Sequence, residues 1–592
     1  MAVIAGATGA KAAPRLQRGK WGFEECWDSD MKQTALKHRN RYVPVLLVGL
    51  LGLVVFSIVL LSLVPPVSKD ELVHHLAVPK LYLKHGGIYE IPFMVFSYYP
   101  MNLDLLYLIP LYFGNDTIPK FIHFTFALFT SWLLLRYIKR RINGAYALFC
   151  ALLFLSTPLI IKLSITAYID LGIIFFSTAA LLFLMEWVER GFKMKFLIIA
   201  AVFCGLGLGT KYNGLITLFL LTLFVPLLYA RAEKVRNPGL LKPAWQGLIF
   251  LLVSLIVFSP WMVRNYHWTK NPIYPLYNHW FNAPELAIED AASDKSEKEE
   301  NHLGHSIFAY RKVIYGERGW QIALLPFRIF FEGKDGDPQY FDGRLNPLIL
   351  LLSLFAFYRS REESLIIRRE KKILLSFSLL FFAFAFFSTD LRMRYIAPII
   401  PALTILSVFG LRNLVSRIQD SVVNAARWGL IALGLTLIFF LSLNLRYLGA
   451  QFVHVDPFGY LGGKTNRHEY IARFNPEYGA VRYINQHLPE DAKVSLIFLG
   501  NRGYYLDRAY VYGEDIMFSL IKGAGGPERI LRGLRAAKVT HLFIQERIFS
   551  KWLDLNFNWE EKAALHNFFK AYTEAIFHEN GFSVFSLKKV IA

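Results

Sequence analysis

Cysteine is nearly absent: Cys26, Cys150 and Cys204 are the three in 592 residues, and they lie far apart. That excludes a disulfide framework and a cysteine-rich metal site. Charge is also scarce. Asp, Glu, Lys and Arg make up 19% of the chain, and acids are outnumbered 45 to 65, against about 25% charged residues in ordinary soluble domains. No cleavable leader is read. The first apolar run, 43–64, is too long for a signal h-region, so it is expected to stay as an anchor with the N-terminus inside.

What is present is apolar. Hydrophobic residues reach 54% and aromatics 16%, and the chain is too long for one ordinary core. Candidate membrane spans lie near 43–64, 118–138, 145–161, 170–188, 196–210, 213–229, 245–260, 345–358, 373–388, 396–411 and 428–446. About eleven crossings are therefore expected, the shorter ones as tilted partners inside a bundle. The net charge of +20 would suggest nucleic acid in a soluble protein. Here the cations sit in short clusters between apolar runs: 136–141, 189–195, 231–242, 359–372 and 412–427. That is the positive-inside pattern, so the charge reports topology first and anionic membrane lipid second, and no nucleic acid is expected.

The polar tail 1–42 is then cytoplasmic. The module 43–446 carries two outer loops, about 65–117 and 261–344. The segment Tyr98–Gly114 is apolar but holds Asp104 and proline, and reading it as a span would put the cluster 136–141 outside. It is read as a helix lying on the outer face. The stretch 285–300 is acidic and expected to be solvated. Beyond 446 the membrane pattern stops. Strand-like runs at 494–499, 541–544 and 583–587 alternate with helical ones at 477–487, 528–537 and 560–575, which predicts an extracytoplasmic α/β domain over 447–592.

Topology leaves a set of polar residues on the outer face. Asp70 and Glu71 follow the first span and its two prolines. As local sequence, Asp70 equally suits the cap of an interfacial helix over 71–84. Asp170 opens the fourth span in Ala167-Tyr168-Ile169-Asp170. Lys211 and Tyr212 sit in the turn Gly209–Gly214. Arg264 and Asn265 end Pro260–Asn265, before Asn271–Pro275. Arg392, Arg394 and Tyr395 follow Asp390. Cations are sparse on this face of membrane proteins. One alone is read as headgroup snorkelling. Four at separate span ends, beside acids, suit phosphate held at the outer leaflet. A carboxylate takes a proton from an attacking hydroxyl, and cations stabilise a departing phosphate.

These motifs, Asp70-Glu71, the segment 98–107, Asp170, Gly205–Tyr212, Pro260–Asn265 and Arg392–Pro401, resemble in order those of the GT-C superfamily of polyprenyl-phosphate-sugar-dependent glycosyltransferases. The branch is that of the protein O-mannosyltransferases and the lipid A aminoarabinose transferase. Two positions depart from it: His74-His75 stand where relatives often carry aromatic residues or arginine, and Tyr98-Tyr99-Pro100 where the mannosyltransferases have histidine before proline.

The resemblance implies a polytopic helical fold and inverting transfer from a polyprenyl-phosphate donor to an extracytoplasmic acceptor, in a cell (inner) membrane. It implies Asp70 as general base, Glu71 supporting it, and Asp170 as a second acid. Lys211, Arg264, Arg392 and Arg394 would contact the donor phosphate. His74, Tyr99, Asp104, Tyr168, Tyr212, Asn265 and Tyr395 complete the expected substrate-binding set. No cofactor is required by these residues, although other GT-C branches use a divalent ion. Adjacent histidines on a helix point apart, so no metal ligands are assigned. A flippase for a lipid-linked substrate and a non-catalytic envelope-assembly subunit are the alternatives from other classes.

Overall fold

The structure is a computed structural model describing residues 23–231, 239, 241–282, 307–358, 363–386, 391–523 and 525–588. The acidic stretch 285–300, Asp390 and parts of the basic clusters 231–242 and 359–372 lie outside them. Each of the eleven expected segments is helical over most of its described length. Among the described residues six helices are long and apolar enough to cross a membrane: Tyr42–Ser62, Ile118–Arg141, Asp170–Glu189, Leu241–Thr269, Met393–Gln419 and Val423–Val455. The expected span 145–161 is instead two helices, Gly144–Leu155 and Pro158–Ser164, bent by 66°. Pro158 is the cause: it lacks an N–H, and Thr157 before it is extended, with ψ 127°.

Met194–Leu208, Gly214–Ala230 and Pro347–Phe357 are apolar but shorter. A 15-residue helix rises about 22 Å, less than the ~30 Å of hydrocarbon. These helices pack as partners within the bundle. The first two are joined by a turn so tight that a Cβ on Gly214 would sit 2.7 Å from the Leu208 backbone, which is why glycine stands there.

One end of the bundle gathers three of the basic clusters. Arg140 pairs with Glu186 at 3.2 Å, Arg141 with Glu189 at 2.7 Å and also with buried Glu370, which accepts from Tyr137 Oη at 2.7 Å. Three of the five clusters expected on one side therefore touch at this end.

The first outer loop differs in detail from its expected form. The interfacial helix over 71–84 is a π-turn, Glu71–His75, followed by a helix, Ala77–His85. The segment from Tyr98 supplies the helix Asn102–Tyr112. Its Ile109 and Tyr112 are exposed while Asp104 and Tyr107 are buried, so one face of it is sealed onto the protein.

The last long helix runs to Val455, nine residues past the expected boundary at 446. The α/β domain follows. Its sheet holds β1 (Lys493–Ile497), β2 (Ala509–Tyr512), β3 (His541–Gln545), β4 (Thr573–Glu579) and β5 (Phe582–Leu587) in the order β2-β1-β3-β5-β4. β1 pairs parallel with β2 and β3, whereas β3, β5 and β4 are antiparallel. β2 and β4 are additions to the expected strands, and residues 573–575 belong to β4 rather than to the preceding helix, Trp559–Tyr572. β4 is exposed along much of its length and carries little apolar alternation to betray it.

Candidate active site

The π-turn after the first span presents Asp70 with no capping role. Its side chain makes no hydrogen bond to the turn it precedes. It is ion-paired to Arg394 Nη1 instead, 324 residues away. The Arg394 guanidinium lies 5.7 Å from the centre of the Tyr168 ring and 5.4 Å from that of Tyr395, a placement suited to cation–π contact. Burial acts to raise the Asp70 carboxyl. Arg394, with smaller contributions from His74 and His75, outweighs it and holds the group well below the usual carboxylate range.

Glu71 has a different task. Its Oε1 accepts from Ala167 N at 2.6 Å and its Oε2 from Ser68 N at 2.8 Å. It is 1% exposed, and burial pushes its carboxyl up. This carboxylate ties the first outer loop to the start of the span that carries Asp170. Glu71→Gln keeps one acceptor oxygen and orphans one buried N–H, a loss of about 1–3 kcal/mol. Its melting temperature is expected to fall while sugar transfer falls less than in Asp70→Asn. A Glu71→Gln variant that melts normally yet loses transfer as fully would give Glu71 a chemical role.

Asp170 is fully buried and its Oδ1 receives Lys211 Nζ at 2.7 Å. Lys211 in turn sits 5.2 Å from the Tyr395 ring centre. Asp170 Oδ2 has no hydrogen-bond partner among the described residues. Two acid–cation pairs, Asp70–Arg394 and Asp170–Lys211, thus flank the same tyrosine. Arg392 stands at the N-cap of the short helix Met393–Ile396 that delivers Arg394.

Arg264 anchors a second group. Its Nη2 donates to the Tyr98 carbonyl at 2.6 Å, the Tyr99 carbonyl at 3.1 Å and Asn265 Oδ1 at 2.9 Å. The guanidinium is 4.6 Å from the Trp261 ring centre and 4.9 Å from that of Trp268. Nη1 is buried without a hydrogen-bond partner among the described residues. Asn265 is scaffold: Nδ2 donates to the Tyr98 carbonyl at 2.9 Å and to Tyr212 Oη at 3.2 Å. Tyr212 Oη donates to the Tyr274 carbonyl at 2.9 Å, and its ring meets Tyr99 edge-on at 5.3 Å. The Tyr-Tyr-Pro departure therefore lends Arg264 backbone carbonyls, which no reading of side-chain types reveals.

His75 has no place in the expected binding set. Its Nδ1 lies 2.7 Å from Asp104 Oδ1, with both groups buried. Burial pushes the Asp104 carboxyl up to about 7 and the imidazole down. Asp104, expected to touch substrate, is occupied with this histidine. His74 stacks on Phe96 at 4.4 Å, so the adjacent rings take different partners although their centroids are 4.0 Å apart. Tyr107 Oη donates to the Tyr168 carbonyl, and His123, also missed, takes Leu171 N–H at 2.9 Å on Nε2 and lies 2.8 Å from the Thr166 carbonyl through Nδ1. That pair of partners sets its neutral tautomer, with the proton on Nδ1. The signal for both histidines was burial, which sequence spacing does not carry.

Among the described residues no three of His, Cys, Asp and Glu converge as a metal site. Asp70 and Asp170 are each matched by a cation instead.

Comparison with known proteins bears on the family and the fold. A family model for dolichyl-phosphate-mannose-protein mannosyltransferase matches residues 112–263. That segment holds Asp170 and Lys211 and stops one residue short of Arg264. No curated protein sequence matches the chain. Among solved structures, ArnT from Cupriavidus metallidurans bound to undecaprenyl phosphate superposes with a TM-score of 0.52 at 16% identity, covering 93% of this chain and 98% of that one. Its apo state gives the same TM-score and identity over 92% and 97%. The Archaeoglobus fulgidus oligosaccharyltransferase in complex with Zn and sulfate gives 0.50 at 14% identity, over 91% and 72%. The fold is the one these solved structures share, and the segment matched by the family model includes two of the helices long and apolar enough to cross a membrane, Ile118–Arg141 and Asp170–Glu189.

Proposed function

We propose that the chain transfers a sugar from a polyprenyl-phosphate carrier to a hydroxyl of an extracytoplasmic acceptor, inverting at the anomeric carbon in one displacement. In this reading the N-terminus is cytoplasmic, the α/β domain faces outward, and the protein resides in the cell (inner) membrane. The observation that carries the reading is the pairing of each candidate acid with a candidate phosphate cation, Asp70 with Arg394 and Asp170 with Lys211.

A carboxylate gripped by an arginine is a weak base. A donor phosphate entering beside Tyr395 competes for Arg394 and Lys211, and Arg264 Nη1 offers it a further donor. Arg394 swings from carboxylate to phosphate, and Asp70 regains basicity once the donor is in place. Asp70 then takes the acceptor hydroxyl proton as its oxygen forms a bond to the anomeric carbon. The carbon–oxygen bond to the carrier breaks, and the phosphate leaves with the electron pair, neutralised by Arg264, Arg394, Lys211 and Arg392. Binding donor before acceptor follows from this exchange.

The test is mass spectrometry of lipid-linked sugars and surface glycans with and without the gene. Loss of the gene is expected to leave one sugar accumulated on its lipid carrier and missing from one surface glycan, glycolipid or glycoprotein. Identical profiles in both strains would overturn the assignment.

A further inference from the structure

The α/β domain is bonded to the loop that carries Asp70. Tyr504 N–H donates to the Leu72 carbonyl at 3.1 Å, and Tyr505 Oη to the Pro66 carbonyl at 2.7 Å. Lys80 Nζ, from the outer-loop helix, returns bonds to the Tyr504 carbonyl at 2.8 Å and the Leu506 carbonyl at 3.0 Å. The segment 504–507 is thereby clamped on both sides of the Asp70 turn.

Beside this clamp a cleft of about 370 Å³ opens between the two parts of the molecule. Tyr504, Tyr505, Tyr478 and Asp116 line it. Arg482 and Gln486 stand exposed at the rim. Beside the tyrosines stand Arg467, His468, Asn485 and Asp507, so the lining joins aromatic rings to charged and hydrogen-bonding groups. Tyr504 and Tyr505 rings lie 5.0 Å apart and Tyr505 and Tyr478 rings 5.4 Å apart. The acids are already matched: Asp116 by Arg467 and by Tyr504 Oη at 3.3 Å, and Asp507 by Lys80 at 2.9 Å. Arg482 at the rim stands outside both of these pairs, so its guanidinium can donate to a sugar hydroxyl oxygen. A neutral sugar needs only the remaining hydrogen-bonding capacity and the ring faces.

We propose that this cleft is a carbohydrate subsite, holding a sugar of the acceptor while a neighbouring hydroxyl meets Asp70. The proposal rests on the acceptor being glycosylated, within the transferase reading above. The Tyr504–Leu72 bond links an occupied cleft to the Asp70 turn, and gives the α/β domain a task in catalysis.

The experiment uses the full chain in lipid nanodiscs. D-mannose, D-glucose and N-acetyl-D-glucosamine serve as probes in saturation-transfer NMR. At least one is expected to bind with a dissociation constant of about a millimolar. The double variant Arg482→Ala/Gln486→Ala, which changes only exposed rim residues, is expected to weaken it about tenfold or more, as loss of a charged hydrogen bond would. Undecaprenyl phosphate binding is expected to be unchanged in the same variant. No signal from any probe, or equal binding by the variant, overturns the subsite. Failure of undecaprenyl phosphate to bind the unaltered protein would strike the donor reading instead and leave the sugar result standing.

Discussion

Asp70→Asn is expected to lose about 10²–10⁴ in the rate of sugar transfer, the usual cost of removing a general base. Asparagine preserves size and polarity but has no basic oxygen. The competing role was a helix cap, for which asparagine serves about as well as aspartate. The Asp70 side chain makes no capping hydrogen bond, so the cap gives no reason for Asn to be tolerated or not. The substitution does break the pair with Arg394, and melting of the purified variant controls for that loss. Transfer from a polyprenyl-phosphate sugar is the measurement. A well-folded Asp70→Asn variant with full activity would remove the base from the mechanism.

Arg394→Ala is expected to act twice. It removes a charge-assisted contact to the donor phosphate, worth roughly 1.5–3 kcal/mol, so polyprenyl-phosphate binding weakens about tenfold or more. It also releases Asp70. The carboxyl of the intact protein is depressed by Arg394, so its acid limb in kcat/KM lies below the usual carboxylate range. Without Arg394 that limb should move to higher pH, because burial is then opposed only by the smaller contributions of His74 and His75. Two readouts therefore shift in one variant, and a phosphate-only role moves just the first. Arg264→Ala should weaken donor binding with no change in the acid limb, since Arg264 does not touch Asp70. Lys211→Ala leaves Asp170 buried without its cation, so its melting must be compared as well. Normal donor binding in alanine variants of all four cations would defeat the phosphate site.

That the apolar runs form helices could be read from the sequence, because hydrocarbon tolerates only long apolar helices, whereas their ends could not: Val423–Val455 and Leu241–Thr269 both overrun the apolar runs. The meeting of Arg141 with Glu189 and Glu370 fits the clustering of cations on one side. Asp70, Asp170, Lys211 and Arg394, which the structure brings into pairs, stood out in the sequence because charges at span ends are few. The bend at Pro158 was open to reading from proline, yet the continuous apolar run hid it.

Pairing was not legible. Nothing in the spacing of Asp70 and Arg394, or of Asp170 and Lys211, foretells that each acid is bound to its cation. Nor does sequence show that Glu71 grips Ala167 and Ser68 while its neighbour Asp70 faces Arg394. Two adjacent carboxylates of like chemistry part because a π-turn directs one inward and leaves the other against Arg394. Residue types and their order determined which groups this protein can bring to its outer face. Contacts between residues hundreds of positions apart decided which of them are neutralised, which are buried, and that the Asp70 loop is braced by Tyr504 and Tyr505, because burial and ion pairing depend on distance in space and sequence separation does not encode it.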